Sequence, residues 1–169
     1  MVRENVVTPA DFIYPLFIHE EGNENVPIES MPGCERHTMD SLLREIEECV
    51  GLGVNSFVLF PKVPESVKNN LGTQAYNPDN LNNRAVRAIK KRFPEVTVCT
   101  DVALDPYSNQ GHDGIVKDGR ILNDEVRGRG ERETKLWGML WCCSYDGNIP
   151  YCLIIYDMRP FNTAIGHTD

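Results

Sequence analysis

Three apolar runs, separated by stretches of helical periodicity, leave this chain few ways of building a sheet. Residues 13–19, Ile-Tyr-Pro-Leu-Phe-Ile-His, are near-continuously apolar, as a strand covered on both faces must be. Residues 55–61 form a second such run, and residues 96–104, rich in β-branched side chains, a third. Between the first two, residues 38–52 place apolar side chains at 39, 42, 43, 46, 49, 50 and 52, mostly at helical spacing. Thr38 is the candidate N-cap, and Gly51 and Gly53 mark the end. Between the second and third, residues 77–93 carry Pro78 near the first turn and apolar residues at 81, 85, 86, 89 and 93. Arg84, Arg87, Lys90, Lys91 and Arg92 are expected on that helix's solvated face, and Pro94 stops it. A β-α-β-α-β order at these lengths requires a parallel sheet with right-handed crossovers. We therefore expect strands near 13–19, 55–61 and 96–104, parallel and in chain order, with helices near 39–52 and 78–93 on one side.

The third run leads straight into Asp101-Val102-Ala103-Leu104-Asp105-Pro106-Tyr107-Ser108-Asn109-Gln110-Gly111-His112-Asp113-Gly114. In α/β folds ligands gather at the carboxyl ends of strands, so Asp101, Asp105, His112 and Asp113 occupy a functional address. Carboxylate oxygens of this kind suit a hard cation such as magnesium. The same residues would also serve an Asx-rich turn whose carboxylates cap backbone amides. Residues 115–122 read as a small hairpin turning at Asp118-Gly119. His19, ending the first strand, is either a site residue or a capping side chain. Lys62, ending the second, reads as solvent-facing.

Composition excludes several classes. The net charge of -8 argues against nucleic acid or an anionic membrane as partner. No apolar run approaches the roughly 18 residues that span a bilayer. The opening Met1-Val2-Arg3-Glu4-Asn5 is no signal peptide, so any organelle-targeting leader is expected outside this sequence. The 6 cysteines follow no zinc-finger or zinc-ribbon spacing, and Cys99, alternating with apolar neighbours, reads as a buried small hydrophobe. A reducing compartment is the natural setting.

The residues from Asp101 to Tyr107, followed by Gly111-His112-Asp113-Gly114, resemble the metal-loop signature of the porphobilinogen synthase (5-aminolevulinate dehydratase) family. Further landmarks follow in that family's order. Residues 8–17 resemble its first barrel strand and lead-in, Ser30-Met31-Pro32-Gly33 the next turn, Val58-Leu59-Phe60-Pro61 the second strand, and Ala75-Tyr76-Asn77-Pro78 the approach to the second helix. The resemblance covers residues 1–126. It implies a (β/α)₈ barrel, which typically needs about 250 residues, more than the 169 present. We therefore expect a partial TIM barrel, about the first three β/α units, with the open edge of the third strand unpaired. In the family a similar hairpin lies near the active site, so residues 115–122 read as a lid or as a plain surface hairpin. At Val126 the character changes. Arg127-Gly128-Arg129-Gly130 is a poor helix start, and residues 127–169 hold both tryptophans and the apolar Tyr151-Cys152-Leu153-Ile154-Ile155-Tyr156. This tail is expected to be unrelated appended sequence, poorly ordered. A small accessory segment is the competing reading.

The resemblance implies condensation of two 5-aminolevulinate molecules to porphobilinogen, a lyase reaction of tetrapyrrole synthesis. In the family two lysines of late barrel strands form Schiff bases with the substrates, and Lys62 corresponds to neither. Zinc-using members carry cysteines where Ala103, Asp105 and Asp113 stand here, so the chain resembles the aspartate-rich, magnesium type of plants, algae and many bacteria. Asp105 and Asp113 are the implied metal residues, His112 orients them, and Asp101 lines the substrate pocket. The implied partners are 5-aminolevulinate and other subunits of a homo-oligomer, an octamer in the family; the implied compartment is chloroplast stroma or cytosol. Two other readings stand beside this one: a non-catalytic truncated form acting through subunit association, and a stand-alone metal-binding α/β module.

Overall fold

The computed structural model describes residues 5–101, 103–112 and 114–121 and the backbone of 152–155. Its elements run β1 (Ile13–His19), β2 (Val26–Pro27), β3 (Glu35–His37), α1 (Met39–Gly51), β4 (Ser56–Lys62), α2 (Leu81–Arg92), β5 (Thr97–Asp101), β6 (Val116–Lys117), β7 (Arg120–Ile121) and β8 (Cys152–Ile155). The three apolar runs lie side by side and parallel, in chain order. β1 pairs with β4 along its whole length, from Ile13↔Ser56 to His19↔Lys62, and β4 with β5 from Ser56↔Thr97 to Leu59↔Thr100. Beyond β1 the sheet continues through β3, parallel to β1 at Phe17↔Arg36, to β2, which runs antiparallel to β3. The far edge of β5, expected to be bare, is occupied: β8 pairs with it in parallel from Val98↔Cys152 to Asp101↔Ile155. An apolar, β-branched strand with free amides is a strong template for pairing, and the Cys-Leu-Ile-Ile run supplies the complement. Residues 122–126, and 127–151 and 156–169 of the expected tail, lie outside the described residues.

Side chains alternate across a strand, so each run serves two faces. Leu16 and Ile18 of β1, Phe57 and Leu59 of β4, and Val98 of β5 point to the side carrying both helices. There they pack with Leu42 and Ile46 of α1 and Leu81, Ala85, Val86 and Ile89 of α2, all essentially inaccessible to water. Each of these side chains larger than alanine contributes about 1.5–3 kcal/mol by leaving water. On the opposite face the Phe17 and Phe60 rings stack with centroids 5.5 Å apart. Phe60 remains 36% exposed. Cys99 is fully buried, and that burial pushes its thiol pKa up, as a small core hydrophobe requires.

Element ends follow the polar residues. The Thr38 side chain accepts from the Ser41 amide at 3.4 Å and opens α1, while Gly53, at φ +94°, carries the chain away after Leu52. α2 starts at Leu81, later than Pro78, because Asn77 Oδ1 accepts the Asp79 amide at 2.9 Å in an Asx turn. Asn80 is the cap that follows: its Oδ1 accepts the Asn83 amide at 2.8 Å, and its Nδ2 donates to the carbonyls of Gln74 and Ala75. Lys90 departs from the solvated face expected for it. It is buried, and Nζ donates to the carbonyls of Pro94 at 2.6 Å and Val96 at 2.8 Å, tying the end of α2 to the approach to β5. The third strand ends at Asp101 rather than at 104, because the chain turns down onto the β4–α2 loop from Leu104 onward. The hairpin is as expected, with Asp118 and Gly119 at φ +52° and +72° joining β6 to β7.

Candidate functional site

The carboxyl ends of β1, β4 and β5 bring polar side chains to the face opposite the helices. Phe17 and Phe60 form one level of that face. Asp101 lies one residue beyond the Leu59↔Thr100 pair, so alternation sets it level with Phe60, half-buried at the end of β5. The next level is the register pair His19↔Lys62. Lys62 is exposed and donates to Glu21 Oε2 at 2.7 Å; that hydrogen bond holds the Glu21 carboxyl below its usual range. His19 is buried, and its Nε2 meets no hydrogen-bond partner among the described residues.

The carboxylate loop rests on the long connection between β4 and α2. Leu104 and Tyr107 pack on Val63 and Ala75 in a small second core, with Tyr107 only 2% exposed. Asp105–Tyr107 forms one 3₁₀ turn that leaves Asp105 exposed. Ala103 is half-buried and offers no donor, and His112 is exposed. Asp113 lies outside the described residues. Among the described residues no group of three His, Cys, Asp or Glu side chains forms a metal cluster. The loop's donors are carboxylate oxygens, of the kind that suits a hard divalent cation.

Asn69 and Asn70 were not among the candidates read from the sequence, yet they hold this loop at both ends. The Asn69 amide donates to the Tyr107 carbonyl at 3.3 Å, and its carbonyl accepts the Asn109 amide at 3.4 Å. The Asn70 side chain donates to the Val116 carbonyl at 2.8 Å and accepts the Val116 amide at 2.9 Å. Gly72 lies close beneath Leu104: a Cβ there would sit 3.4 Å from Leu104 Cδ2, and its φ of +58° favours glycine. The available signal was the string Asn69-Asn70-Leu71-Gly72, which reads only as turn chemistry until the loop it contacts is known.

A mostly parallel sheet with amphipathic helices on one face and acidic residues beyond its carboxyl ends defines an α/β chain with the layering of a (β/α)₈ barrel. The delta-aminolevulinic acid dehydratase family model matches residues 1–132, and the chain belongs to that family. The chloroplastic delta-aminolevulinic acid dehydratase of Selaginella martensii is 54% identical over 126 residues, 73% of this chain and 30% of that protein. A delta-aminolevulinic acid dehydratase of Bradyrhizobium diazoefficiens is 50% identical over 126 residues, 75% of this chain and 36% of that protein. The chain thus spans about a third of the length of these relatives. Among solved structures it resembles the Toxoplasma gondii ME49 delta-aminolevulinic acid dehydratase, crystallised with the reaction product porphobilinogen. That match has a TM-score of 0.76 and 42% identity, covering 86% of this chain and 40% of the other. No helix among the described residues is long and apolar enough to cross a membrane.

Proposed function

We propose that residues 1–126 are the first β/α units of a porphobilinogen synthase barrel and contribute its acidic, magnesium-type loop to the condensation of two 5-aminolevulinate molecules. Residues 127–169 follow as a segment of other origin, of which Cys152–Ile155 joins the sheet at the edge of β5. The observation that carries this reading is Asp101 at the carboxyl end of β5, level with the Phe17–Phe60 pair, with Asp105 following on the same loop. A half-buried carboxylate there attracts and orients the substrate's amine, beside the apolar surface of the aromatic pair. Asp105 and Asp113 would hold magnesium, with His112 orienting them. Once bound, the cation would polarise a substrate oxygen and offset the carboxylate charge. The relatives of plants are chloroplastic, which supports a plastid setting, with cytosol the alternative.

By itself the chain forms no porphobilinogen. A Schiff-base lysine needs a pocket that lowers its pKa from roughly 10.4, whereas Lys62 is exposed and paired with Glu21. A non-catalytic role through association with complete subunits of the family is the second reading, and the exposed Phe60 face favours it. The test is borohydride trapping with 5-aminolevulinate. The expected result is an unmodified chain and no pyrrole. A covalent adduct on Lys62 with pyrrole formation overturns the assignment of roles. Limited proteolysis should cut first after about residue 126; resistance there would show that 127–169 are integral to the fold.

A further inference from the structure

We propose that the edge of β5 away from β4 is a strand-accepting site, which the chain's own tail fills through β8 and so withholds from a second copy of the chain. The two ends of the sheet are built differently. At one end stands β2, two residues long, whose Pro27 has no amide to offer a further strand. Short length and proline are devices that blunt a sheet edge. β5 carries neither: Thr97-Val98-Cys99-Thr100-Asp101 holds no proline, glycine or lysine. Val98 and Cys99 are fully buried and Thr100 nearly so, which is the burial of an interior strand. Such a strand needs backbone partners on both sides, and in a closed (β/α)₈ barrel the next parallel strand supplies them. β8 takes that position in the same direction, pairing in parallel from Val98↔Cys152 to Asp101↔Ile155. It comes from beyond residues 1–132, the stretch that carries the family match.

The backbone register fixes which groups the tail protects. Thr97 donates its amide to the Asn55 carbonyl at 2.8 Å. Amide direction alternates along a strand, so Thr97 and Cys99 turn toward β4 while Val98 and Thr100 turn toward β8. The register then sets the Leu153 amide against the Val98 carbonyl and the Ile155 amide against the Thr100 carbonyl. Without β8, the amides and carbonyls of Val98 and Thr100 are left open on an apolar strand. The same edge of a second copy is their complement. Two β5 edges related by a twofold axis pair antiparallel into one continuous sheet. Centred on Cys99, that pairing sets Asp101 opposite Thr97, so no like charges meet.

The experiment uses the whole 169-residue chain as wild type, Leu153→Pro and Ile155→Pro. Proline at 153 removes the amide facing Val98 and cannot sit inside a ladder, whereas proline at 155 removes only the last contact. Association is followed by sedimentation over a range of concentrations, and hydrogen exchange at Val98, Cys99 and Thr100 is read in dilute, monomeric samples. Expected for Leu153→Pro is loss of protection at Val98 and Thr100 with Cys99 still protected. It should also shift to dimer with rising concentration, beyond any shift shown by wild type. Ile155→Pro should lose protection at Thr100 and keep it at Val98. A synthetic peptide of residues 150–157, added to Leu153→Pro, should restore both amides and reverse the dimer by adding a strand in trans. Wild-type protection of Val98 and Thr100 in Leu153→Pro overturns the proposal. So does its loss without gain in association, or a peptide that restores neither amide. Loss of Cys99 protection as well, in both proline variants, would make β8 integral to the folded body and not an occupant of an accepting edge, which also overturns it. No catalysis is read, so these outcomes leave the porphobilinogen synthase reading to its own test.

Discussion

Leu59 and Phe60 are neighbours in β4 that face opposite sides of the sheet, and truncating each should reveal how differently the two sides are covered. Leu59 is 0% exposed and packed between strands and both helices. Leu59→Ala removes its transfer free energy and leaves a cavity that the surrounding strands cannot close, costing about 3 kcal/mol. Phe60 is larger, but its ring is 36% exposed, and its chief aromatic partner is Phe17. The space it leaves opens to water and costs no closed cavity, so Phe60→Ala should lose the aromatic pair and part of its burial, about 1.5 kcal/mol. With a urea slope of about 2 kcal/mol per M, the midpoints fall by about 1.5 M and about 0.75 M. Urea unfolding followed by circular dichroism, repeated over a range of protein concentrations, makes the comparison. A Phe60→Ala loss equal to or larger than that of Leu59→Ala would refute an open inner face and show that something covers it in solution.

The two helix caps should also differ. Asn80→Ala, which frees the Asn83 amide and the carbonyls of Gln74 and Ala75 at a buried position, should cost about 2 kcal/mol; Thr38→Ala, whose single cap bond is 3.4 Å long, should cost about 0.5 kcal/mol by the same denaturation assay. Tyr14 donates to Glu45 Oε1 at 3.2 Å, and burial first, then the Glu45 charge, push its phenol up to about 12 from 10.0. Because the folded form binds its proton more tightly, this contribution to stability is complete below pH about 10 and is lost as pH rises toward about 12. Ultraviolet titration of the phenolate, assigned by difference from Tyr14→Phe, should place the Tyr14 midpoint near 12, and Glu45→Gln should bring it down. A Tyr14 midpoint near 10 in the wild type would contradict the contact.

The strands were legible because their residues are near-continuously apolar, although one face stays part-exposed: residues 13–19 form β1 end to end, and residues 55–61 miss β4 by one residue. The helices were legible through period and caps, with an error at Pro78, where the side chain of Asn77 makes a local turn that a periodicity count does not register. β2 and β3 escaped notice because they are only two and three residues long, Val-Pro and the polar Glu-Arg-His. They depend on Asn25, whose Nδ2 donates to Glu35 and to Ser41 Oγ and whose Oδ1 accepts the Thr38 amide. Lys90 was misplaced because burial of a long side chain depends on two carbonyls four and six residues away. Asp101 and Asp105 stand at the end of β5 and on the loop that follows, as their position in the sequence implied, whereas Asn69 and Asn70 act across a contact between loops about 38 to 46 residues apart in sequence, which no local pattern encodes.

The central claim is that residues 1–126 supply the acidic, magnesium-type part of a porphobilinogen synthase site. Its most direct test is a hybrid chain in which these residues replace the matching segment of the Selaginella martensii relative, assayed for porphobilinogen from 5-aminolevulinate. The account predicts turnover that is abolished by a strong chelator, restored by magnesium and not by zinc, and lost in Asp101→Asn. A folded hybrid that makes no porphobilinogen, or one revived by zinc alone, would contradict it.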